Sequence, residues 1–319
     1  MVIIPFSMKQ RSKVSFIICS YNRAGYLDDT LQSLVESGLT SQPAELLIID
    51  NNSTDSTPEV VKGYQQQYAK DGNTIRYIKE TKQGLSHARN RGIKEAQTPR
   101  VVFLDDDIRA TKKLIPRWVS FFSSNPNALA AGGKIHVQFD DPRPDWMSHF
   151  LLPLLGHHDL GDSPRKYPQN KYPFGGNMGF RKNIFGLLGG FDTELGRKGN
   201  QLKASEEKEL FRRIRAENID IHYLPEAKLF HRVNEERLTE EYIRRQAIGL
   251  GESIALQVQN EPNQRTEEIV RELLKIIATF LLFFPYAFSL QLPKALMLIK
   301  FRKWIAEGYF GINAQTPSP

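Results

Sequence analysis

The chain has 319 residues and a net charge of +7, and 40% of its residues are hydrophobic and 25% are charged. This composition excludes an intrinsically disordered chain, and the length allows one large globular domain or two small ones. The single cysteine, Cys19, cannot form an intrachain disulfide, which favours a reducing, cytoplasmic location. The net positive charge suits anionic substrates or anionic lipids. Nucleic acid is disfavoured as a partner, because the basic residues are dispersed and do not form runs.

Short apolar segments alternate with helical patterns in the first third of the chain. Strands are predicted at residues 14–20, 45–50, 74–79 and 100–104. Helices are predicted between them, around residues 27–35 and over residues 58–68 and 85–96. We therefore expect an α/β fold, with a mostly parallel sheet flanked by helices and with ligands bound beyond the carboxyl ends of the strands.

The pattern becomes less regular further along the chain. The predicted elements are a strand at 130–139, an irregular stretch at 140–171, a glycine-punctuated strand or loop at 174–180, a helix at 206–218, a short strand at 220–223 and a helix at 239–259. From residue 267 the chain becomes strongly apolar. Residues 1–12 are expected to be an N-terminal extension, with an apolar run too short for a secretory signal.

Three consecutive carboxylates, Asp105, Asp106 and Asp107, directly follow the apolar strand at residues 100–104. Adjacent carboxylates repel one another unless a positive charge lies among them. Carboxylate oxygens suit Mg²⁺ or Mn²⁺, which bind a few carboxylates together with substrate phosphates. The alternative is a solvated acidic turn, which leaves the preceding apolar strand unexplained. The pattern favours a metal site.

Polar residues also follow the first two predicted strands, so three strand ends would meet at one crevice. Ser20, Tyr21 and Arg23 follow the first strand, and Asp50 ends the second. Asp50 could accept an N–H from a nucleobase, although carboxylates in such loops often only cap the next helix. Arg89, near the start of a predicted helix, could reach a phosphate or a ribose, or it could form a structural ion pair.

Three further titratable residues are candidates for chemistry. Glu206 and Glu207 begin a predicted helix, where acidic side chains suit the helix dipole and where one could be the general base for an incoming hydroxyl. His231 could be a structural histidine or an additional nitrogen ligand of the metal. The sequence pattern leaves these alternatives open.

In their order and combination, these motifs resemble family 2 glycosyltransferases with the GT-A (Rossmann-like) fold. The matching segments lie at residues 14–23, 46–57, 84–90, 102–107, 174–180 and 189–192, with Glu206-Glu207 and Phe230-His231 after them. The resemblance implies a catalytic domain at residues 13–235, with a nucleotide-binding half at 13–110 and an acceptor half at 111–235. Residues 236–319 would form a helical, partly apolar C-terminal region.

The resemblance implies a role for each matching residue. Six residues would surround the nucleotide of the donor: Ser20, Tyr21, Arg23, Asp50, Arg89 and Asp105. Asp107, Asp105 and His231 would hold Mn²⁺ or Mg²⁺, and Asp106 would lie close to the donor sugar. The family carries Glu-Asp where this chain has Glu206-Glu207. The base would therefore be Glu207, with Glu206 as the alternative.

The implied activity is inverting, metal-dependent transfer of a sugar from a nucleotide-diphosphate sugar to a hydroxyl of a glycan or lipid-linked acceptor, in surface polysaccharide biosynthesis. A UDP-sugar is the preferred donor, with GDP- and dTDP-sugars as alternatives. A catalytically inactive nucleotide-sugar-binding or scaffold protein of the same fold is the competing interpretation. A nucleotidyltransferase fits less well, because residues 20–25 do not form a glycine-rich, basic phosphate loop.

The apolar segment at residues 276–292 carries no formal charge and is near the lower length limit of a membrane-spanning helix. Lys275, Lys294 and Trp304 are among the residues that flank it and are typical of interfacial anchors. We expect peripheral attachment to the inner face of the cell membrane. The alternative is a helical pair packed on the catalytic domain or on a second subunit.

Overall fold

The computed structural model describes residues 14–68, 75–195, 206–258 and 262–315. The N-terminal extension expected at residues 1–12 lies outside these ranges. The chain divides into two compact units. The first consists of Met1–His136 and Gly156–Arg232, and the second consists of Val137–Leu155 and Val233–Pro319.

The described strands form one mixed sheet. They are β1 (Val14–Ser20), β2 (Ala44–Asp50), β3 (Ile75–Lys79), β4 (Arg100–Leu104), β5 (Ile108–Ala110), β6 (Ala130–Phe139), β7 (Arg165–Lys166), β8 (Asn177–Arg181) and β9 (Ile221–Val233). Their order is β3-β2-β1-β4-β8-β6-β9-β5, and β7 pairs with β9. The α/β fold is confirmed. The parallel pairing expected for most of the sheet holds for β1 to β4, whereas β8 pairs antiparallel with β4 and β6, and β9 with β5 and β7.

Helices connect and flank these strands. They are α1 (Ala24–Glu36), α2 (Thr57–Tyr68), α3 (Leu85–Glu95), α4 (Leu114–Ser124), α5 (Ile184–Leu188), α6 (Glu206–Ala216), α7 (Glu240–Val258), α8 (Pro262–Phe288) and α9 (Leu292–Gln315). Helix α4 is absent from the predicted elements, although its Trp118 is fully buried.

Two cores lie on opposite faces of the sheet, because successive side chains of a strand point to opposite sides. In β1, Phe16 and Ile18 pack in a core that contains Leu27 and Leu31 of α1. Ile17, between them, belongs to the other core, which contains residues of α3 and α6. The continuous apolar run of β1 is therefore explained by burial on both faces.

The strand predicted at residues 220–223 is wrong in length, since β9 continues from Ile221 to Val233. Every second residue of β9 is buried, a period of two that Pro225 and Glu226 obscure in the sequence. The extra length carries His231 to a position opposite Ile108 of β5.

The second unit contains α7, α8, α9 and the 3₁₀ helix His149–Leu155. Helices α7 and α9 share a core that includes Ile243, Met297 and Phe301. Trp304 belongs to this core and is only 7% exposed, so its expected role as an interfacial anchor is wrong. Among the described helices, none combines the length and apolarity needed to cross a bilayer.

Candidate active site

The carboxyl ends of β1, β2 and β4 lie side by side. Ser20 ends β1 and pairs with Asp50 at the end of β2, and Ile18 pairs with Leu104 at the end of β4. Because β1 lies between β2 and β4, the order of the parallel strands reverses there. Such a switch point is where sheets of this kind bind ligands. The three strand ends predicted to converge are neighbours in the structure.

A buried threonine of α1 holds the turn after β4. The Thr30 hydroxyl lies 2.9 Å from the carbonyl oxygens of both Asp106 and Ile108, and it accepts the Ile108 N–H at 3.0 Å. Thr30 is fully buried. These bonds fix the backbone on both sides of Asp107, and they thereby orient its carboxylate.

Asp105, Asp107 and His231 offer one ligand atom each, and these atoms all lie within 4.8 Å of one another. His231 Nε2 lies 3.2 Å from Asp107 Oδ1. The pairing of β5 with β9 brings the histidine here, and Arg232 N donates to the Asp107 carbonyl oxygen at 2.8 Å. Two carboxylates and an imidazole at this spacing can hold a divalent cation.

Asp106 bonds instead to the loop after β1. Its carboxylate accepts hydrogen bonds from Ser20 Oγ at 2.7 Å and from Arg23 Nη1 at 2.9 Å. The same Arg23 nitrogen lies 2.7 Å from Asp107 Oδ2. Burial lowers the pKa of Arg23, but the two aspartates raise it above its ordinary value, so the guanidinium stays charged. A fixed positive charge therefore neutralises part of the acidic turn.

Burial is the largest influence on the pKa values of Asp105 and Asp106, two of the three carboxylates in this turn. It raises the pKa of Asp106 to about 6, against the opposing charge of Arg23. It also raises the pKa of Asp105, and the charge of Asp107 adds to the effect. The raised pKa values show that burial disfavours the ionised forms of Asp105 and Asp106, and a positive charge bound beside them would favour those forms. An additional cation would be attracted to the turn.

Asp50 is fully buried, and both of its carboxylate oxygens accept hydrogen bonds. Ser53 N donates to Oδ1 at 2.8 Å, and the Tyr77 hydroxyl donates to Oδ2 at 2.5 Å. The bond from Ser53 organises the loop between β2 and α2, but Asp50 does not cap that helix, because the Thr57 N–H at its start donates to Asp55 Oδ1. Tyr21, by contrast, is 40% exposed and accessible to a ligand.

The ion pair considered for Arg89 is present. Arg89 Nη1 lies 2.7 Å from Glu206 Oε1 and 3.3 Å from Glu207 Oε2. The Arg89 and Glu206 side chains are 4% and 1% exposed, whereas the Glu207 side chain is 19% exposed. Burial and the charge of Glu207 raise the pKa of Glu206 to about 7, against the effect of Arg89. Glu207 is therefore the more accessible of the two carboxylates.

Two glycines lie between the acidic turn and this ion pair. A Cβ atom at Gly175 would lie 2.3 Å from an Arg89 nitrogen, and a Cβ atom at Gly176 would lie 2.4 Å from Asp105 Oδ2. The Gly175 N–H donates to Glu207 Oε1 at 3.3 Å. The backbone can approach both groups because it carries no side chain here. Asp105 and Glu207 thus contact adjacent residues of one dipeptide.

Three residues that support the site are absent from the sequence-based candidates. They are Thr30, Tyr77 and Trp118. Trp118 Nε1 donates to Asn177 Oδ1 at 3.0 Å, and Asn177 Nδ2 in turn donates to the carbonyl oxygen of Ala227 at 2.8 Å. These three residues belong to none of the motifs in the sequence, so the sequence carries no signal for their contacts.

The sequence model of a family described as "Glycosyl transferase family 2" matches residues 15–188, which is more than half of the chain. The match contains Asp50, Arg89 and the acidic turn. Glu206, Glu207 and His231 lie beyond it.

Curated relatives are named as transferases of sugars. A glucosyl-dolichyl phosphate glucuronosyltransferase of Haloferax volcanii is 26% identical over 228 residues, which are 70% of this chain and 71% of that protein. A poly(ribitol-phosphate) beta-glucosyltransferase of Bacillus spizizenii is 27% identical over 121 residues, which are 38% of this chain and 19% of that protein.

Solved structures share the fold. The mannosyltransferase PcManGT from Pyrobaculum calidifontis, in complex with GDP-Man and Mn²⁺, has a TM-score of 0.58 and 17% identity, over 97% of this chain and 77% of that chain. The S. aureus TarS 1-349 fragment, in complex with UDP, has a TM-score of 0.50 and 17% identity, over 75% of this chain and 65% of that chain. These likenesses show a fold of the GT-A type. With the family match, they lead to one conclusion: this chain belongs to glycosyl transferase family 2 and is a glycosyltransferase.

Proposed function

We propose that the protein transfers a sugar from a nucleotide-diphosphate sugar to a hydroxyl of a glycan or lipid-linked acceptor, with inversion at the anomeric carbon and with a divalent cation. The observation that carries this proposal is the cluster of Asp105, Asp107 and His231 after β4. The cluster lies at the switch point of the parallel strands, where nucleotide ligands bind in related sheets.

The chemistry of the cluster fits Mn²⁺ or Mg²⁺. Asp105 and Asp107 supply hard oxygen ligands, and the imidazole of His231 supplies a nitrogen, which favours Mn²⁺ of the two. Three protein ligands leave coordination positions for diphosphate oxygens. When bound, the cation neutralises the diphosphate and makes it a better leaving group. The Mn²⁺ in the PcManGT complex supports this choice.

We assign the donor nucleotide to the residues around the ends of β1 and β2. Asp50 keeps capacity for a base N–H beyond its two bonds, because a carboxylate has about four lone-pair sites. Tyr21 is exposed enough to contact the base. Ser20 and Arg23 lie next to the acidic turn, where the diphosphate would bind. The UDP bound by TarS supports a UDP-sugar, and the GDP-Man bound by PcManGT supports the competing GDP-sugar.

Glu207 is assigned as the general base. The Glu206 side chain is 1% exposed and paired with Arg89, so an incoming acceptor cannot reach it. Glu207 is more accessible and contacts the dipeptide that also contacts Asp105. Glu207 would take the proton of the acceptor hydroxyl while the hydroxyl oxygen bonds to the anomeric carbon. The bond from that carbon to the diphosphate oxygen breaks, and the diphosphate leaves with the electron pair of that bond. Attack from the face opposite the diphosphate inverts that carbon.

The acceptor is assigned only by chemical class, and the names of two relatives support that class. The name of the Haloferax volcanii relative describes a lipid-linked substrate, glucosyl-dolichyl phosphate, which supports a lipid-linked acceptor here. The name of the Bacillus spizizenii relative describes a poly(ribitol-phosphate) acceptor, which supports a role in surface polysaccharide biosynthesis.

The test is release of nucleotide diphosphate from UDP-, GDP- and dTDP-sugars, with and without Mn²⁺ and with a panel of lipid-linked acceptors. We expect release to require both metal and acceptor. Glu207→Gln should lower kcat by about 10²–10⁴-fold and leave the Kd of the donor unchanged. Glu217→Gln is the matched control, because Glu217 is exposed and directly follows α6.

Two results would overturn the proposal. Donor binding without turnover on any acceptor would indicate the inactive, nucleotide-sugar-binding alternative. A product with retained anomeric configuration, detected by NMR, would exclude the single displacement. Full activity of Glu207→Gln together with an inactive, folded Glu206→Gln variant would transfer the base assignment to Glu206.

A further inference from the structure

Helix α8 carries a continuous apolar face on its exposed side. Seven of its large side chains are between 54% and 86% exposed: Leu274 and six others, namely Leu273, Ile277, Phe280, Leu281, Phe284 and Phe288. These six follow one another at helical spacing. Their spacing of three or four residues places them on one side of the helix. We refer to these six residues as the apolar face of α8. It extends for about 22 Å along the helix.

Three polar side chains of α8, those of Glu272, Lys275 and Thr279, lie on its other side, which packs against α9. Thr279 is buried, and its hydroxyl accepts a hydrogen bond from Arg302 Nε of α9 at 3.2 Å. Glu272 pairs with Lys275 and lies 3.7 Å from Arg302 Nη1. A surface helix of a water-soluble protein has the opposite arrangement, with apolar residues inside and polar residues outside. The orientation of α8 therefore requires a partner for its exposed side.

The charge around this face indicates which partner fits. Over residues 262–315, helices α8 and α9 carry seven basic residues and four acidic ones, which gives this part of the chain a net charge of +3. A second copy docked face to face would bring two sets of basic residues together. An anionic surface would instead attract them.

We propose that the apolar face of α8 binds in the plane of an anionic phospholipid surface. The apolar side chains would enter the boundary between headgroups and acyl chains, and the exposed basic side chains of α9, Lys300 and Lys303, would be attracted to phosphates. Leu290, in the connection to α9, and Leu292, the first residue of α9, are 91% and 46% exposed and add exposed apolar side chains beyond the end of α8. Vesicle binding needs no sugar donor, so this inference stands or fails separately from the proposed transferase reaction.

The experiment is flotation of the full chain with vesicles of phosphatidylcholine alone or mixed with phosphatidylglycerol. We expect the wild type to float with the mixed vesicles, less so at high salt. The double variant Leu281→Glu/Phe284→Glu should lower the bound-to-free ratio by at least about a hundredfold, because two apolar side chains lose their burial. Both positions are more than half exposed, so the fold should persist, as circular dichroism would verify.

Leu187→Glu is the matched control. Leu187 lies in α5 of the other unit and is 66% exposed, against 67% for Leu281. This variant should float like the wild type. Equal flotation of the double variant would overturn the proposal. A wild type that does not bind vesicles would also overturn it, whether the protein is a monomer or a dimer. A dimer that the double variant dissociates would identify a second copy as the occupant.

Discussion

The Arg89 guanidinium lies 2.7 Å from the Glu206 carboxylate, and both side chains are almost completely buried. Neither charge can be solvated by water at this position, so each depends on the other. Glu207, 3.3 Å from the same arginine nitrogen, is partly exposed. Adjacent residues in the first turn of α6 thus have different environments, one suited to structure and the other to contact with an acceptor.

The first prediction concerns this buried pair. Above pH 7, where Glu206 is ionised, Arg89→Met should lower the free energy of unfolding by about 3–5 kcal/mol, because Glu206 loses the partner of its buried charge. Urea denaturation measures the change. Arg91→Met is the control in the same helix, since Arg91 pairs with Glu95 at the surface and its loss should cost less than about 1 kcal/mol. Equal losses in the two variants would contradict the importance of the buried pair.

A second prediction follows from the raised pKa of Glu206, which burial moves from 4.5 to about 7. Between these values the folded protein binds a proton that the unfolded chain has released. The stability that this proton provides is complete below pH 4.5 and is lost as the pH rises to about 7. In this window the unfolding free energy should fall by up to about 1.4 kcal/mol per pH unit.

The measurement is the pH dependence of urea unfolding for the wild type and for Glu206→Gln. The variant cannot titrate at this position, so the difference between the two curves isolates Glu206 from other groups. We expect the wild type to lose more stability than the variant between pH 4.5 and pH 7. Parallel curves would show that Glu206 is ionised throughout this range.

The strands around the site are those that the sequence predicts best. The predicted bounds of β1, β4 and β6 agree with the structure. For β1 and β4 the reason is that continuous apolar runs are typical of strands covered on both faces. Each strand ends where polar residues begin. The positions of Ser20 and Asp107 at one edge of the sheet therefore follow from local pattern and the rule for parallel strands.

The contacts that complete the site depend on pairing that no local pattern encodes. His231 reaches Asp107 because β9 is long and pairs antiparallel with β5. The sequence leaves the partner of Arg89 open, because Glu206 is more than a hundred residues away along the chain. The contacts of Thr30 cannot be predicted from local sequence either, because they depend on how α1 packs against the turn after β4.

A third prediction concerns Arg23, which shares Asp107 with the expected metal ion. Arg23 Nη1 lies 2.7 Å from Asp107 Oδ2, so its charge opposes the binding of a cation. Arg23→Met should therefore tighten Mn²⁺ binding in the absence of nucleotide, by about tenfold, which corresponds to 1.4 kcal/mol. The same variant should weaken binding of a nucleotide diphosphate, because the guanidinium is no longer available to its phosphates.

Electron paramagnetic resonance of Mn²⁺ measures the first effect, and calorimetry with UDP measures the second. Arg212→Met removes the same charge from a side chain that is 80% exposed, and it should change neither affinity by more than about twofold, since exposed charges are screened. Weaker Mn²⁺ binding in Arg23→Met would show that Arg23 mainly positions the metal ligands.

The fourth prediction uses two glycines of α7. A Cβ atom at Gly251 would lie 2.1 Å from the Ile305 carbonyl oxygen and 2.8 Å from the Tyr309 nitrogen, both in the backbone of α9. Gly251→Ala should therefore force α7 and α9 apart and cost about 1–3 kcal/mol, as overpacking does in a close-packed core. At Gly249, two residues earlier in the same helix, an added Cβ atom would meet nothing within 4 Å.

Gly249→Ala should consequently stabilise the protein by about 0.5–1 kcal/mol, because alanine loses less backbone freedom than glycine in a helix. Thermal unfolding followed by circular dichroism compares the two variants, which differ only in position along α7. Opposite signs are expected. A stabilising Gly251→Ala would mean that the contact of α7 with α9 is looser in solution than the backbone distances indicate. Gly308→Ala would then also be tolerated, although its Cβ atom would lie 2.1 Å from the Ile248 carbonyl oxygen.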